Sequence, residues 1–271
     1  MKTPLRYPGG KSRAVKHILP LIPEDCGELC SPFLGGGSIE LAVAERGTRV
    51  HGYDVFEPLV WFWQALLSEP DRLAALCDDM RVWNPEYILN EAPVRGLPKE
   101  AFMRTREKLR STTKYSLTAA AEFYAINRSS FSGATFSGGF SKRASYARFT
   151  DSSIQRLKDF KETNLTVGCA DFKDSIIRHP DAFLYLDPPY LLGKDKNKLY
   201  GDKGSTHMGF DHNGLHEVLS GRTGWVLSYN NCPEIQELYK DYEIINAEWA
   251  YGMKNVGKKI MGSSSEVLII G

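Results

Sequence analysis

Residues 182–190 read AFLYLDPPY and join an apolar run to a turn made of Asp187, Pro188, Pro189 and Tyr190. A short apolar run without polar alternation is typical of a strand that is buried on both faces of a sheet. In an open α/β sheet, ligands bind just beyond the carboxyl ends of such strands. The stretch therefore predicts a buried strand that leads directly into a functional site.

Similar apolar runs recur along the chain and predict the rest of the sheet. They cover residues 28–34, 49–55, 164–170, 224–229, 242–248 and 266–270. Most of the intervals between them have helical character, such as residues 38–46 and residues 233–239. Strands that alternate with helices predict an α/β fold with an open, largely parallel sheet, covered on both faces.

The interval from residue 56 to residue 163 breaks this alternation. An aromatic-rich segment is followed by a stretch with several prolines and then by helical spacing over residues 100–110 and 117–125. Residues 129–140 combine glycine, serine and spaced phenylalanine, which predicts a hairpin or a long ordered loop. In a chain of 271 residues we therefore expect a main domain, residues 1–55 and 164–271, with residues 56–163 as an inserted subdomain.

Charge is unevenly distributed along the chain. The formal net charge is only +1, but residues 101–165 hold 12 basic and 5 acidic side chains, a net charge of +7. The two flanking segments each have a net charge of −3. A basic segment of this kind favours a surface for a polyanion, and a solvated helix face with surplus lysines is the alternative.

The overall composition excludes several classes of protein. With 42% hydrophobic and 25% charged residues and a mean hydropathy of −0.33, the chain is neither collagen-like nor of low complexity nor wholly disordered. Five scattered cysteines without a CxxC pair favour neither a disulfide framework nor a structural zinc site. No apolar run is long enough to span a membrane, and we expect a soluble intracellular protein.

The turn after residue 186 has the donors and acceptors for a particular ligand chemistry. Its two prolines fix φ and remove two backbone donors, which leaves the Asp187 carboxylate and the Pro188 carbonyl as acceptors. Tyr190 adds a flat aromatic surface. These groups suit a planar ligand with an exocyclic amine, and a rigid turn that only closes the strand is the alternative.

A glycine turn follows the first predicted strand. Residues 33–38 read FLGGGS, and Asp54 lies at the end of the next strand, 17 residues after Gly37. Glycines allow a close backbone approach at a strand-to-helix turn, and an acid at the second strand end can accept hydrogen bonds from both hydroxyls of a ribose. The glycine turn and Asp54 together predict a nucleoside site.

A second glycine motif, YPGGKS, occupies residues 7–12. It contains part of the phosphate-binding loop GxxxxGK[ST], but Leu5 stands where that loop requires glycine, and no strand of useful length precedes it. The nucleotide hydrolase that such a loop would indicate is therefore disfavoured. Lys11 still suits a carboxylate or phosphate, and Tyr7 can pack on a ligand.

In this order, these motifs resemble those of the Dam-type DNA adenine methyltransferases, which use S-adenosylmethionine. The resemblance also includes residues 127–133, NRSSFSG, and residues 228–230, SYN. It implies a Rossmann-like methyltransferase fold with a DNA-recognition insert. Ser132 departs from the family pattern, which usually has asparagine there, and this departure leaves the recognised DNA sequence open.

The resemblance also implies a role for each motif. Asp187, Pro188, Pro189 and Tyr190 would form the catalytic motif, and Phe33 to Gly37 would line the methionine end of the cofactor. Asp171 and Phe172 would border its adenine. The implied cofactor-binding residues are Tyr7, Lys11, Phe33, Gly35, Gly37, Asp54, Asp171, Phe172 and Asp187.

The implied partner is double-stranded DNA, from which the target adenine would be flipped out. The candidate DNA contacts lie in and after the glycine- and serine-rich run: Arg128, Ser129, Ser130, Phe131, Lys142, Arg143 and Arg148. Residues 191–213 predict either a loop that orders over the target base or a disordered surface loop. We also expect a monomer without a metal ion, cytoplasmic and encoded by a prokaryote or a phage.

Three other functions are alternatives to this prediction. A cytosine amine offers the same two N–H bonds, so Asp187 favours adenine over cytosine only through the family resemblance. A DNA-binding relative that has lost catalysis is disfavoured by the intact motif at residues 187–190. Methylation of RNA is disfavoured because no RNA-binding module is visible.

Overall fold

A seven-stranded sheet forms the centre of the part of the chain that the structure describes. The structure is a computed structural model, and it describes residues 1–191, 209–247 and 266–271. The strands, in chain order, are β1 (Glu28–Ser31), β2 (Arg49–Asp54), β3 (Val82–Leu89), β4 (Ala92–Gly96), β5 (Leu165–Cys169), β6 (Phe183–Leu186), β7 (Trp225–Asn230), β8 (Glu243–Asn246) and β9 (Glu266–Ile270). All except β3 and β4 belong to the central sheet.

The strand order across the sheet is β5-β2-β1-β6-β7-β9-β8. The first five of these strands are parallel, whereas β9 runs antiparallel to β7 and β8. From β1 the chain builds outward through β2 and β5, and it then returns to place β6 on the other side of β1. The order therefore reverses between β1 and β6, where open α/β sheets form ligand sites. The predicted fold class, α/β with a mostly parallel seven-stranded sheet, is confirmed.

Helices connect most of these strands. They are α1 (Val15–Ile18), α2 (Ser38–Ala44), α3 (Glu57–Ser68), α4 (Pro70–Asp79), α5 (Lys99–Ser111), α6 (Leu117–Ser129), α7 (Lys142–Arg148), α8 (Asp151–Lys158), α9 (Phe172–Arg178), α10 (His212–Ser220) and α11 (Pro233–Leu238), with short 3-10 helices at Leu19–Leu21 and Phe131–Gly133. Side-chain caps define several starts. The Ser116 hydroxyl accepts a hydrogen bond from the Ala119 N–H and begins α6.

Residues 56–163 pack directly on the central sheet. Leu29 of β1 and Val50 of β2 belong to the same buried cluster as Trp63 of α3 and Phe123 of α6. The helix α3 contacts β2, β5 and α6. The predicted division between a main domain and an inserted subdomain is not tested by this packing and stays a prediction.

One prediction for this segment is confirmed, and one element was not predicted. Residues 129–140 form an ordered loop rather than a hairpin, with a 3-10 turn and a single antiparallel bridge between Ser130 and Phe140. The antiparallel hairpin is instead formed by β3 and β4, which the sequence analysis missed. Its turn is made by Asn90 and Glu91, both with positive φ, and asparagine at such a turn was the available signal.

Candidate active site

A cavity of about 410 Å³ lies where the strand order reverses. Its volume is in the range of ordinary small-molecule sites. The wall comprises parts of residues 7–11, 32–40, 54–56, 171–173, 185–190 and 209–211. All of the predicted cofactor-binding and catalytic residues line it: Tyr7, Lys11, Phe33, Gly35, Gly37, Asp54, Asp171, Phe172, Asp187, Pro188, Pro189 and Tyr190.

The glycine turn is shaped by its neighbours within the protein. Gly35 and Gly37 have φ of 47° and 66°, which other residues adopt only with strain. A Cβ atom on Gly36 would lie 2.9 Å from Cβ of Tyr7, and one on Gly37 would lie 2.7 Å from Cζ2 of Trp63. The turn therefore needs glycine for its own packing as well as for the approach of a ligand.

Asp54 fixes this turn to the end of β2. Its two carboxylate oxygens accept hydrogen bonds from the N–H groups of Gly35 (3.1 Å) and Phe56 (2.9 Å). Burial raises the pKa of Asp54, although these hydrogen bonds oppose the shift. Each oxygen keeps a further lone pair, so the carboxylate can also accept hydrogen bonds from a ligand in the cavity.

Lys11 and Asp187 form the charged centre of the cavity. The Lys11 ammonium, 4% exposed, lies 2.7 and 2.8 Å from the two Asp187 oxygens and 3.0 Å from the Tyr190 hydroxyl. That hydroxyl donates to the buried Glu266 carboxylate at 2.7 Å. The network fixes both the carboxylate and the ring of the predicted catalytic motif. We expected Lys11 to bind a carboxylate or a phosphate, and in the structure it binds the carboxylate of Asp187.

For both Lys11 and Asp187, burial and the attraction between opposite charges shift the pKa in opposite directions. Burial disfavours the Lys11 ammonium, but the attraction of Asp187, Tyr190, Tyr185 and Glu266 outweighs it and raises the pKa of Lys11 well above its usual value. Burial raises the pKa of Asp187 to about 6, against the opposing attraction of Lys11. At neutral pH Lys11 is therefore charged and Asp187 is mostly ionised.

Three aromatic rings form another part of the wall. Phe33 stacks on Phe172 with a centroid distance of 6.0 Å, and Phe210 packs against both at 5.6 and 5.5 Å. Asp171 accepts a hydrogen bond from the Asp174 N–H and begins α9, which places Phe172 at the cavity. Flat apolar surfaces of this kind suit a nucleobase.

The sequence analysis missed several residues of the cavity and its network. Tyr185 was visible as part of the apolar run before Asp187, and Glu266 as an acid at the start of an otherwise apolar strand. The other missed side chains had no distinctive motif. Among the missed residues are Glu40, Tyr185, Phe210 and Glu266.

The predicted DNA contacts divide into buried and exposed groups. Ser129 and Ser130 are fully buried, and Arg128 is 7% exposed because its guanidinium donates to the carbonyls of Arg148 and Pro4. In this conformation these three hold the loop together. Phe131 is 65% exposed, and three cations are also on the surface: Lys142, Arg143 and Arg148.

The loop is fastened to the chain segment that leads to Lys11. The Asn127 amide donates to the carbonyls of Arg6 (2.8 Å) and Gly133 (3.0 Å), and it accepts from the Arg6 N–H. A Cβ atom on Gly133 would lie 2.0 Å from the Arg6 carbonyl oxygen. Ser132, where the family usually has asparagine, adopts a φ of 54°, a conformation that asparagine tolerates better than most residues.

Other predictions concern features outside the cavity. No described helix is long and apolar enough to cross a membrane. All five cysteines are free. Glu28, His51 and His179 bring possible metal ligands within 4.8 Å of one another, and the predicted absence of a metal ion is not tested. Most of the predicted loop at residues 191–213 lies outside the described residues.

Comparison with known proteins identifies the family of the chain. Residues 7–253 match the model of the D12 class N6 adenine-specific DNA methyltransferases. The chain is also similar to the type II methyltransferase M1.LlaDCHI of Lactococcus lactis subsp. cremoris, with 21% identity over 97% of this chain and 93% of that protein. Since the family match covers the cavity, its charged centre and the residues 127–133 loop, the chain belongs to the D12 class of N6 adenine-specific DNA methyltransferases.

Proposed function

We propose that the cavity binds S-adenosylmethionine and that Asp187 and Pro188 orient the N6 amine of an adenine from double-stranded DNA. The observation that carries this proposal is the contact of Lys11 with both Asp187 oxygens in a cavity shared with the glycine turn and Asp54. The family as a whole methylates adenine in DNA. The roles of the individual residues are inferred from their chemistry.

The cavity fits the cofactor in size and chemistry. Its volume suits a ligand of this class. The rings of Phe33 and Phe172 would hold the adenine, Asp54 the ribose hydroxyls and the glycine turn the amino-acid end. When bound, the cofactor supplies a methyl group on a cationic sulfur, so the departing group is a neutral thioether.

Orientation and negative potential are the main contributions required of the protein. The N6 amine is a poor nucleophile because its lone pair is delocalised into the ring. Hydrogen bonds from its two N–H groups to an Asp187 oxygen and to the Pro188 carbonyl favour a pyramidal nitrogen with a directed lone pair. Lys11 uses one lone pair of each Asp187 oxygen, which leaves others for the amine.

The target base must leave the duplex to reach Asp187, at a cost of a few kcal/mol. Stacking on an aromatic ring contributes about 1–3 kcal/mol, and Tyr190, held by Lys11 and Glu266, is positioned for it. The exposed Phe131 is placed to contact the bases. Phosphate contacts from Lys142, Arg143 and Arg148 would hold the register on the duplex.

The relative from Lactococcus is a type II methyltransferase. We propose the corresponding cellular role, modification of host DNA alongside a restriction nuclease, with the chain acting as a monomer in the cytoplasm of a prokaryotic or phage-infected cell.

Nucleoside analysis by mass spectrometry tests the proposal. Plasmid DNA treated with the protein and S-adenosylmethionine should gain N6-methyladenine. Asp187→Asn keeps the shape of the side chain but loses its charge, and it should lower the rate at least about 100-fold. Asp25→Asn, at an exposed position, is the matched control and should retain full activity. Methylcytosine in place of methyladenine, or an active Asp187→Asn protein, would refute the assigned chemistry.

A further inference from the structure

Besides Asp54, Asp171, Asp187 and Asp211, a further carboxylate lines the cavity, and it has no ion-pair partner among the described residues. Glu40, in the first turn of α2, is 2% exposed. Its Oε1 atom accepts a hydrogen bond of 2.6 Å from the Ser31 hydroxyl. Across the described residues, no lysine, arginine or histidine forms an ion pair with Glu40. Asp187, by contrast, has Lys11.

An unpaired buried carboxylate is energetically unfavourable. Burial, with a smaller contribution from the nearby Asp187, raises the pKa of Glu40 to about 7. A cation that enters the cavity would favour the ionised form and remove part of this penalty. Glu40 is therefore arranged for a ligand that brings a positive charge of its own.

The cavity wall indicates which part of a ligand reaches Glu40. Phe33, Phe172 and Phe210 offer flat apolar surfaces for a nucleobase. Glu40 accepts from the Ser31 hydroxyl and shares the cavity wall with Asp187 and Tyr185, with which it interacts electrostatically. These polar groups favour the polar end of the ligand. S-adenosylmethionine has two cationic groups at that end, the α-ammonium of its amino acid and its sulfonium.

The hydrogen-bonding capacity of Glu40 distinguishes the two cationic groups. An ammonium carries three N–H donors, and a carboxylate makes strong charge-assisted hydrogen bonds with such donors. A sulfonium has no N–H group, and its methyl must stay open to the target amine. Ser31 uses one lone pair of Oε1, and backbone N–H groups of Ile39 and Glu40 also interact with the carboxylate. A carboxylate has about four acceptor sites, so it can still accept a hydrogen bond from a ligand in the cavity.

We propose that Glu40 binds the α-ammonium group of the cofactor. This inference rests on the proposed function, because it requires S-adenosylmethionine in the cavity. It assigns Glu40 to cofactor recognition and leaves the orientation of the target amine to Asp187 and Pro188.

Calorimetric titration with three ligands tests the assignment. The ligands are S-adenosylmethionine, S-adenosylhomocysteine, which lacks the sulfonium charge, and an S-adenosylhomocysteine analogue with hydrogen in place of the α-amino group. Glu40→Gln retains the volume and the acceptor for Ser31. It should weaken the first two ligands about 10- to 100-fold, the effect of losing a hydrogen bond to a charged group, and leave the affinity for the deaminated analogue unchanged.

Two other patterns of affinities would contradict the assignment of Glu40 to the α-ammonium group. Loss of S-adenosylmethionine binding alone would identify the sulfonium as the partner of Glu40, and equal loss for all three ligands would mean a structural role. Either result overturns the inference. If wild-type protein binds none of the three, the proposed function itself fails.

Two further variants keep the test interpretable. Glu45→Gln changes an exposed acid at the far end of the same helix and should bind all three ligands normally. If Glu40→Gln does not fold, Glu40→Asp retains the charge with a shorter reach. Weakening by Glu40→Asp confined to the two amine-bearing ligands supports the inference, whereas weakening of the analogue as well contradicts it.

Discussion

Replacement of Lys11 with methionine removes the cation that faces Asp187 and keeps an unbranched side chain. Lys11 Nζ lies 2.7 and 2.8 Å from the Asp187 oxygens, and an opposite charge at such range lowers the pKa of a carboxyl by about 1–3 units. In the wild type the pKa of Asp187 is raised to about 6 despite this attraction. Without Lys11, we expect the pKa of Asp187 to rise by about 1–3 units more.

The expected consequence is a shifted pH dependence of methyl transfer. The ionised form of Asp187 accepts the amine hydrogen bonds, so activity is lost as the pH falls through the pKa of this group. For the wild type, kcat/KM should fall below about pH 6. For Lys11→Met the same limb should lie between about pH 7 and 9, which reduces activity at pH 7 by about 2-fold to 100-fold. Activity should be partly restored at high pH.

Radiolabelled methyl transfer to a short duplex is measured from pH 5 to pH 9 under saturating cofactor. This assay gives the acidic limb of the pH profile for the wild type and for Lys11→Met. Lys240→Met, at an exposed lysine on the surface, is the control and should follow the wild type. Loss of one partner of a buried pair destabilises a protein by about 3–5 kcal/mol. Urea unfolding at the assay temperature therefore checks that the wild type and Lys11→Met are both folded when activity is measured. An acidic limb at the same pH in the wild type and in Lys11→Met would refute this account of Lys11.

Four further substitutions test other parts of the structure. Gly37→Ala should lower the free energy of unfolding by about 1–3 kcal/mol and weaken cofactor binding, because the added methyl meets Trp63 at a backbone position with positive φ; urea unfolding and calorimetry measure the two effects, and an unchanged variant would contradict the packing argument. Arg128→Met should destabilise the fold by about 1–3 kcal/mol, since the buried Pro4 carbonyl and the partly buried Arg148 carbonyl lose this donor; a stable variant with weakened DNA binding would instead place Arg128 on the DNA. Lys142→Ala and Arg143→Ala should each weaken binding of all duplexes alike and reduce the slope of log K against log salt by about 1; a change in sequence preference at constant slope would speak against phosphate contacts.

The central sheet was predictable because its signal is local. The parallel strands β1, β6 and β7 are short, mostly apolar and buried, and the pattern is visible in a few consecutive residues. The β3–β4 hairpin was missed because Pro85 and Pro93 disfavour a strand inside a sheet. In a two-stranded hairpin both strands are edges, and proline is tolerated there.

Only those cavity residues that lie in recognisable sequence motifs were predictable. Lys11 and Asp187 each lie in a recognisable turn, but the sequence does not show that they contact each other across 176 positions. Glu266 and Glu40 belong to no motif, and their importance arises from burial beside other charges. Such residues become visible only when the fold brings distant segments together.

The basic excess of residues 101–165 illustrates the same limit. Its net charge of +7 predicts a polyanion surface, but several of its cations bond within the protein. Arg106 and Arg110 donate to the carbonyls of Gly138 and Phe136, each at 3.1 Å, and Arg128 is buried. Their charge still contributes to the long-range field that attracts DNA, whereas counterion release depends on direct phosphate contacts. The salt dependence of binding should therefore correspond to fewer contacts than the number of basic residues in the segment.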